Sequence, residues 1–396
     1  MPRIAARANH AFFAASVLAL TAMGAGMAAN DQIMNEAKAD HQRQMEELEN
    51  RMPLGPLRAK SLGLPPRWQL DAPDPIVQFF PHNAGVFTIN QHNELSKISG
   101  DKGTLLWHTH GGNSADQIID VIAIDDIDRI LIVRTTSVLT ISNSTGNPSF
   151  IGEARSSLQQ LQWLADTTGV VDGPYLIYGG LSGEIVWQGY THGFTEGAHR
   201  IGRRVATPPV ISDTLVIAGS ASGTIFGLDV KRRSKRWTVS LLAAPTAPLT
   251  VHGQLLFVAS KDQHLRAINT DTGVVEWARL LESPLQHGPY AAADSVYQQV
   301  PDRGLVCLEA RPKHAPEGME RWTAPTVTGN VIADKDGMLI TWDADKRVMQ
   351  SVSASTGVVE ATAAIPEALN VTADGDLIYI LGHSTRLQLL RLGSGD

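Results

Sequence analysis

The chain has 396 residues, of which 43% are apolar and only 18% are charged, which predicts a globular protein with a substantial core and excludes global disorder. Its formal net charge of −7 argues against a general nucleic-acid partner. The single cysteine, Cys307, excludes an internal disulfide and a thiolate metal cluster, and its alternating surroundings predict a buried structural thiol.

Residues 1–28 have the pattern of a secretory signal peptide. Arg3 and Arg7 precede the apolar run FFAASVLALTAM, and GAGMAAN supplies small residues for cleavage near Ala28 or Ala29. A retained membrane anchor is the alternative, but the run is short and no charged stop-transfer flank follows. Cleavage would remove two arginines and take the formal net charge from −7 to −9. Since no cysteine stands at the cleavage point, we expect a periplasmic or secreted protein with no lipid attachment and no remaining transmembrane segment.

Residues 29–52 predict an amphipathic helix, because they contain no Gly or Pro. Their apolar residues form a thin stripe at helical spacing: Ile33, Ala37, Met45, Leu48 and Met52. We favour a surface helix lying on the domain over one that docks to a partner, since the stripe is too short for a coiled coil. Residues 53–66 carry four prolines and predict an extended linker.

Residues 67–396 repeat an apolar strand, a short polar turn and a second apolar strand. The turns follow one another every 40–46 residues and centre on His92, Thr135, Leu181, Ala221, Asp262, Asp302, Ala344 and Ser384. A helical solenoid has similar periods, but these segments alternate with period two, which is typical of four-stranded propeller blades. The last unit lacks a fourth strand, which the segment around Trp68 could supply. We therefore predict an all-β, eight-bladed propeller, with seven blades as the alternative if the third unit, which reads GAHRIGRR where the others carry an aromatic, forms no full blade.

An aromatic residue marks the predicted fourth, outermost strand of most units. Tryptophan holds this place five times, as Trp68, Trp107, Trp237, Trp277 and Trp322. Phe150 stands in for it in the second unit and Ala361 in the seventh. We predict that these tryptophans, together with Gly273, are structural anchors of the blades.

The clearest copy of the repeat is AINTDTGVVEW, residues 267–277. Thr272 and Gly273 are expected to form the turn between the third and fourth strands, because glycine tolerates a positive φ. The side chain of Asp271 is expected to bond local backbone. Trp277 is expected to pack a large apolar face between blades.

This motif resembles the fastener of the PQQ-like propeller repeat, Ala-x-Asp-x-x-Thr-Gly-x-x-x-Trp. Weaker copies stand at residues 97–107, 139–150 and 351–361, and the resemblance covers residues 68–392. One branch of the family contains quinoprotein dehydrogenases, which bind pyrroloquinoline quinone and calcium on the propeller axis. That site is usually roofed by a disulfide between neighbouring cysteines, which this chain cannot form. The resemblance therefore favours the other, BamB-like non-catalytic branch.

Six histidines occur in pairs that are close in sequence: His82 and His92, His108 and His110, and His192 and His199. Imidazoles on one strand face could bind zinc, but a catalytic site needs three protein ligands held tetrahedrally. We therefore favour surface or groove histidines, and place the last pair in a Gly-rich loop.

Three aspartates, Asp125, Asp126 and Asp128, fall at a predicted strand-connecting turn. Calcium needs six to eight oxygen ligands, so two or three turn carboxylates do not make a site. We predict no catalytic, cofactor-binding or metal-binding residue.

Eight basic residues concentrate in two adjacent units of this acidic chain: Arg200, Arg203, Arg204, Lys231, Arg232, Arg233, Lys235 and Arg236. A solvated turn is one interpretation. The other is a docking patch for an acidic partner, an anionic lipid or a cell-wall polymer. The long loop EARPKHAPEGME of the sixth unit is a second candidate contact region.

These patterns favour an exported, non-enzymatic and monomeric propeller. We expect it to act as a protein-interaction scaffold for a partner in the cell envelope, with a role in outer-membrane protein assembly. Rigid display of loops and strand addition along an exposed blade edge would supply affinity. The alternative is a quinone-dependent dehydrogenase-like or small-ligand (sugar) binding propeller that uses the axial channel.

Overall fold

A computed structural model describes residues 27–82, 85–112, 116–124, 126–149, 152, 156–313, 315 and 317–393. The predicted signal peptide, apart from residues 27 and 28, lies outside these residues. Phe150 and Asp125 also lie outside them.

The described residues form two helices and eight four-stranded antiparallel sheets, the blades. The helices are α1 (Met27–Arg51) and α2 (Pro56–Ser61). Blades one to four are β2 (Ile76–His82), β3 (Gly85–Asn90), β4 (Glu94–Ser99) and β5 (Leu105–His110); β6 (Ile118–Ile124), β7 (Arg129–Arg134), β8 (Ser137–Ile141) and β9 (Leu158–Gln160); β10 (Ala165–Asp172), β11 (Tyr175–Gly180), β12 (Glu184–Gly189) and β13 (Phe194–Arg200); and β14 (Val210–Ser212), β15 (Leu215–Gly219), β16 (Thr224–Asp229) and β17 (Lys235–Ser240). Blades five to eight are β18 (Thr250–His252), β19 (Leu255–Ala259), β20 (His264–Asn269) and β21 (Val275–Leu280); β22 (Tyr290–Ala292), β23 (Ser295–Val300), β24 (Gly304–Glu309) and β25 (Glu320–Ala324); β26 (Asn330–Lys335), β27 (Met338–Asp343), β28 (Val348–Ser353) and β29 (Val359–Ala364); and β30 (Ala368–Asp374), β31 (Leu377–Gly382) and β32 (Arg386–Arg391) with β1 (Pro66–Asp71).

The ring is closed by its N-terminal strand. β1 pairs antiparallel with β32, with Leu70 opposite Leu387, and so completes blade eight. First strands of neighbouring blades, such as β18 and β22, contact each other, so they lie innermost and the fourth strands outermost. Closure leaves no gap in the ring of blades. The prediction of eight blades is confirmed.

The seven-blade alternative is wrong, because the third unit forms a complete sheet. Its outer strand, β13, has seven residues and includes His199, which the sequence had placed in a loop. Phe150, the predicted counterpart of the tryptophan in the second unit, lies outside the described residues. The fourth strand of blade two is β9, which begins after that residue, at Leu158.

The core lies between the blades, because the middle strands are buried on both faces. Phe257 and Trp277 of blade five, for example, pack against Val296 and Leu308 of blade six. Cys307 of β24 is buried in the next core, between blades six and seven, as predicted, and burial raises the pKa of its thiol.

The segment predicted as an extended linker instead contains α2. Pro56 stands in the first turn of this helix, where proline is well tolerated because its missing N–H would have no partner. Leu54, Leu62 and Leu64 flank or cap the helix and are fully buried between blades seven and eight. Buried Gln388 accepts from the amide of Leu54 at 2.9 Å and donates to its carbonyl at 2.7 Å.

The C-terminal part of α1 is partly covered by the rest of the chain. Residues 36–44 are exposed, whereas Met45 and Leu48 of the predicted apolar stripe are half-buried. Arg58 fixes this end, since its guanidinium donates to the carbonyls of Glu49 and Ala364 at 3.0 and 2.8 Å. Neither helix of the described chain has the length and apolar content that a membrane crossing requires.

Candidate functional site

The predicted tryptophan anchors lie at the junctions between blades. Nε1 of Trp237 in blade four donates to the carbonyl of Thr270 in blade five at 2.8 Å. Its ring lies on Gly273, whose φ is +73° and where an added Cβ would approach the ring to 2.8 Å. Four more junctions repeat this arrangement: Trp68 with Gly100 and Gly103, Trp107 with Asn143 and Gly146, Trp277 with Ala310 and Gly318, and Trp322 with Ala354 and Gly357. The glycine of each motif thus supports the tryptophan of the preceding blade and not its own.

The turn in residues 267–277 is organised by Asn269 and not by Asp271. The Oδ1 atom of Asn269 accepts from the amides of Asp271 and Thr272, both at 3.1 Å, and from the Thr272 hydroxyl at 3.0 Å. Asp271 is exposed and contributes its amide. The interpretation that its side chain bonds local backbone is therefore corrected.

Gln159 takes the tryptophan's place at the junction of blades two and three. Its Nε2 donates to the carbonyl of Tyr190 at 2.8 Å, and its side chain lies above Gly193, whose φ is +86°. Gln159 was not among the predicted anchors, because it is polar. The signal was the period, since Tyr190 and Gly193 stand 80 residues before Thr270 and Gly273.

At the junction of blades three and four, the large residue and the glycine have exchanged positions. Gly197 stands 40 residues before Trp237, and Arg233 stands 40 residues before Gly273. A Cβ at Gly197 would lie 3.0 Å from the Cδ atom of Arg233, so the two positions touch as they do elsewhere. The large residue is simply contributed by the opposite blade.

Arg233 is therefore part of the junction. It donates to Glu196 Oε2 at 3.1 Å, and its guanidinium lies 5.4 Å from the centre of the Tyr175 ring. Trp187, paired opposite Gly197, is fully buried and supplies the aromatic core of this blade from its third strand. The unit predicted to be degenerate therefore has an alternative packing at its junction.

The predicted basic cluster divides into two groups. Arg203 and Arg204 follow β13, beside the turn from β15 to β16, because the amide of Ala221 donates to the carbonyl of Arg204. Lys231 and Arg232 lie beyond the opposite end of β16. A six-residue strand is roughly 17 Å long, so the two groups lie on opposite faces of the propeller.

We call the face that bears the turns between second and third strands the upper face, and the other the lower face. Connections between blades also cross the upper face. Burial lowers the pKa of His199 on β13, and the charge of Lys235 at the start of β17 lowers it further.

Ion pairs occupy part of this basic surface. Arg200 lies 3.5 Å from Glu184, and Arg204 lies 3.0 Å from Asp166. Arg203 is exposed, and it borders an open hollow of about 600 Å³ with Arg200, Gly202, Ala221 and Ser222. Within the described chain, no carboxylate lies within ion-pairing distance of Arg203.

Exposed leucines flank these arginines on the upper face. Leu164 precedes blade three and its carbonyl accepts from the amide of Leu181, at 2.8 Å. Leu242 follows blade four and is 87% exposed. We define the upper patch as Leu164, Leu181, Arg200, Arg203, Arg204 and Leu242.

The backbone at Leu242 is held by a buried ion pair. The Leu242 amide donates to Asp262 Oδ2 at 3.1 Å. Arg266 donates to both oxygens of Asp262, at 2.9 and 2.8 Å, and these bonds hold the pKa of that carboxyl well below its usual range despite its burial. The leucine is thus presented on a fixed support.

Asp120 is a half-buried carboxyl near the propeller axis. It lies on β6 and accepts from the amide of Gly169 on β10 at 3.1 Å, which joins the first strands of blades two and three. Burial raises the pKa of Asp120 to about 6, although the bonds from Gly169 and Val121 act in the opposite direction.

This carboxyl predicts a pH-dependent stability. A folded-state pKa raised from 3.8 to about 6 means that the fold binds the proton more tightly than the unfolded chain. The contribution of Asp120 to the free energy of unfolding is therefore fully present below pH ~4, falls between pH ~4 and ~6, and is lost above pH ~6. The free energy of unfolding decreases by about 1 to 3 kcal/mol over this range. In Asp120→Asn we expect this component of the pH profile to be absent, as measured by urea unfolding at a series of pH values. Equal slopes in the two proteins would contradict the assignment.

The remaining candidates are dispersed. His82 stacks near Phe87, whereas His92 lies in an upper turn. His192 lies 3.2 Å from Glu196. Asp128 accepts from Ser142 and Ser144 and so braces a turn. No group of three or more His, Cys, Asp or Glu residues suited to a metal ion occurs among the residues described here.

Comparison with known proteins agrees with this architecture. A family model described as outer membrane protein assembly factor BamB matches residues 66–278 and 179–396. BamB from Moraxella catarrhalis superimposes with a TM-score of 0.67 at 18% identity, over 84% of this chain and 99% of that one. The computationally designed Ika8 protein superimposes with a TM-score of 0.63 at 13% identity, over 80% and 96%. No relative was found among curated proteins. The chain therefore belongs to the family of PQQ-like β-propellers whose model is described as outer membrane protein assembly factor BamB.

Proposed function

We propose that this protein is a non-enzymatic scaffold of outer-membrane protein assembly, and that it binds a protein partner through the upper patch. Family membership supports the general role, because the matching family is described as an outer membrane protein assembly factor. We choose this surface because Leu242 is 87% exposed although its backbone amide is held by Asp262.

The chemistry of the upper patch suits a partner that is apolar and acidic. Burial of an exposed leucine stabilises a complex by about 1.5 to 3 kcal/mol, and arginine is enriched among residues that dominate binding. Leu164, Leu181 and Leu242 lie beside Arg203, which has no carboxylate partner among the described residues. Loops already held by backbone hydrogen bonds lose little entropy on binding.

Leu242→Asp is expected to lower the amount of partner retained at least tenfold in affinity purification from an envelope extract. The reason is that a carboxylate would replace the most exposed apolar group of the patch. Leu280→Asp is the matched control, because Leu280 is 50% exposed but lies on the outer strand β21. Quantification of each co-purifying protein by mass spectrometry, with unfolding curves for both variants, checks the result. Equal retention by both variants would sink the choice of surface.

A further inference from the structure

The turn between β16 and β17 carries cations that the fold does not use. Lys231, Arg232 and Lys235 are exposed, and no carboxylate of the described residues lies within ion-pairing distance of them. Arg233 and Arg236 differ, because they pair with Glu196 and Asp229 at 3.1 and 3.6 Å. We define the lower rim as Lys231, Arg232 and Lys235.

The lower rim lies at the outer edge of the propeller. It belongs to the turn that leads into β17, the outermost strand of blade four. On the neighbouring outer strand β13, Phe194 is 58% exposed. Three free cations on long side chains, with an aromatic ring on the adjacent strand, are suited to an extended anionic surface and not to a small ligand enclosed in a pocket.

We propose that the lower rim docks the propeller edge-on to an anionic phospholipid surface. The formal net charge of the whole chain is −7, so such a surface repels most orientations of the protein and attracts this one. Each Lys or Arg near an anionic membrane strengthens binding about fivefold, so the three free cations together contribute on the order of 100-fold.

This inference goes beyond the proposed function and does not depend on it. The upper patch and the lower rim are separated by the length of β16, roughly 17 Å. Edge-on docking through the lower rim therefore leaves the upper patch accessible. A lipid surface and a protein partner could be bound at the same time.

The test is co-sedimentation of the full chain with vesicles at low salt. Vesicles of equimolar phosphatidylglycerol and phosphatidylethanolamine should bind the protein, whereas pure phosphatidylcholine should not. Lys231→Gln/Arg232→Gln/Lys235→Gln should weaken binding at least tenfold. Arg200→Gln/Arg203→Gln/Arg204→Gln removes the same charge from the other face and should change binding less than about twofold. About 0.5 M salt should abolish binding, because it screens charges beyond about 5 Å.

Three results would overturn the proposal. The first is an equal loss of vesicle binding in both triple variants, which would mean that only net charge matters. The second is equal binding to phosphatidylcholine vesicles. The third is no binding to either kind of vesicle. Thermal unfolding of both triple variants tests whether misfolding causes a loss of vesicle binding. We expect both to fold, because neither set includes the junction residue Arg233.

Discussion

Replacement of Trp277 with alanine is expected to lower the free energy of unfolding by about 3 to 5 kcal/mol. The side chain is 2% exposed, its Nε1 donates to the carbonyl of Ala310 at 2.9 Å, and its ring packs 6.0 Å from that of Phe257. Truncation removes the ring contact within blade five and the indole at the junction with blade six, and leaves the Ala310 carbonyl without its indole donor. Urea unfolding followed by circular dichroism measures the loss.

Two further variants separate the packing from the hydrogen bond. Trp277→Phe keeps most of the apolar contact and is expected to cost about 1 to 3 kcal/mol, the cost of a buried group without its partner. Val274→Ala, at a position 57% exposed in the same motif, is expected to change stability by less than about 0.5 kcal/mol. A loss in Trp277→Ala no larger than in Val274→Ala would contradict the role of the indole at the junction.

The second large effect is expected at the glycines that support the indoles. Gly357 has a φ of +74°, and an added Cβ would lie 2.5 Å from the ring of Trp322. Gly337 in the same blade has a φ of +83° but nothing within 4 Å of that Cβ. Alanine at either position adopts a left-handed conformation, which costs about 1 to 2 kcal/mol. Only Gly357→Ala also displaces a tryptophan, at about 1 to 3 kcal/mol more.

The difference between the two alanine variants isolates the contact between blades. We expect Gly357→Ala to unfold at a clearly lower urea concentration than Gly337→Ala, with an unchanged slope of the transition. Equal midpoints would mean that backbone strain alone determines these glycines.

The fold was predictable from the sequence because a propeller makes the same contact many times. The tryptophan position of the repeat, as in Trp237 and Trp277, and its glycine position, as in Gly273, recur at a period of about 40 residues. Such a recurrence has few structural explanations. The strand around Trp68 was predictable for the same reason, since it supplies the one fourth strand that the last unit lacks.

The exceptions could not be predicted from residue identity, because each one conserves volume or a hydrogen bond with a different residue type. Gln159 replaces an indole donor with an amide donor. Gly197 and Arg233 exchange the large and the small residue across a junction. These positions keep the spacing of the repeat but not its residue types, so a search for identical residues misses them.

The prediction of an extended linker and the interpretation of the basic residues as one patch were incorrect for separate physical reasons. Prolines were interpreted as breaks, but Pro56 stands where a helix can begin with one. The basic residues were interpreted as one patch because they are close in sequence and in adjacent blades. β16 separates them, since a strand carries the chain from one face of a propeller to the other.

The pairing of β1 with β32 has a consequence for the order in which the protein folds. Pairs such as Asp71 with Arg386 join residues more than 300 positions apart, and contacts between such distant residues form slowly. Seven blades can assemble from local hairpins, but the eighth must wait for both of its parts. Until then the edges of β32 and β1 are unpaired and can recruit strands from other chains. A chain of this design therefore needs protection during its last folding step.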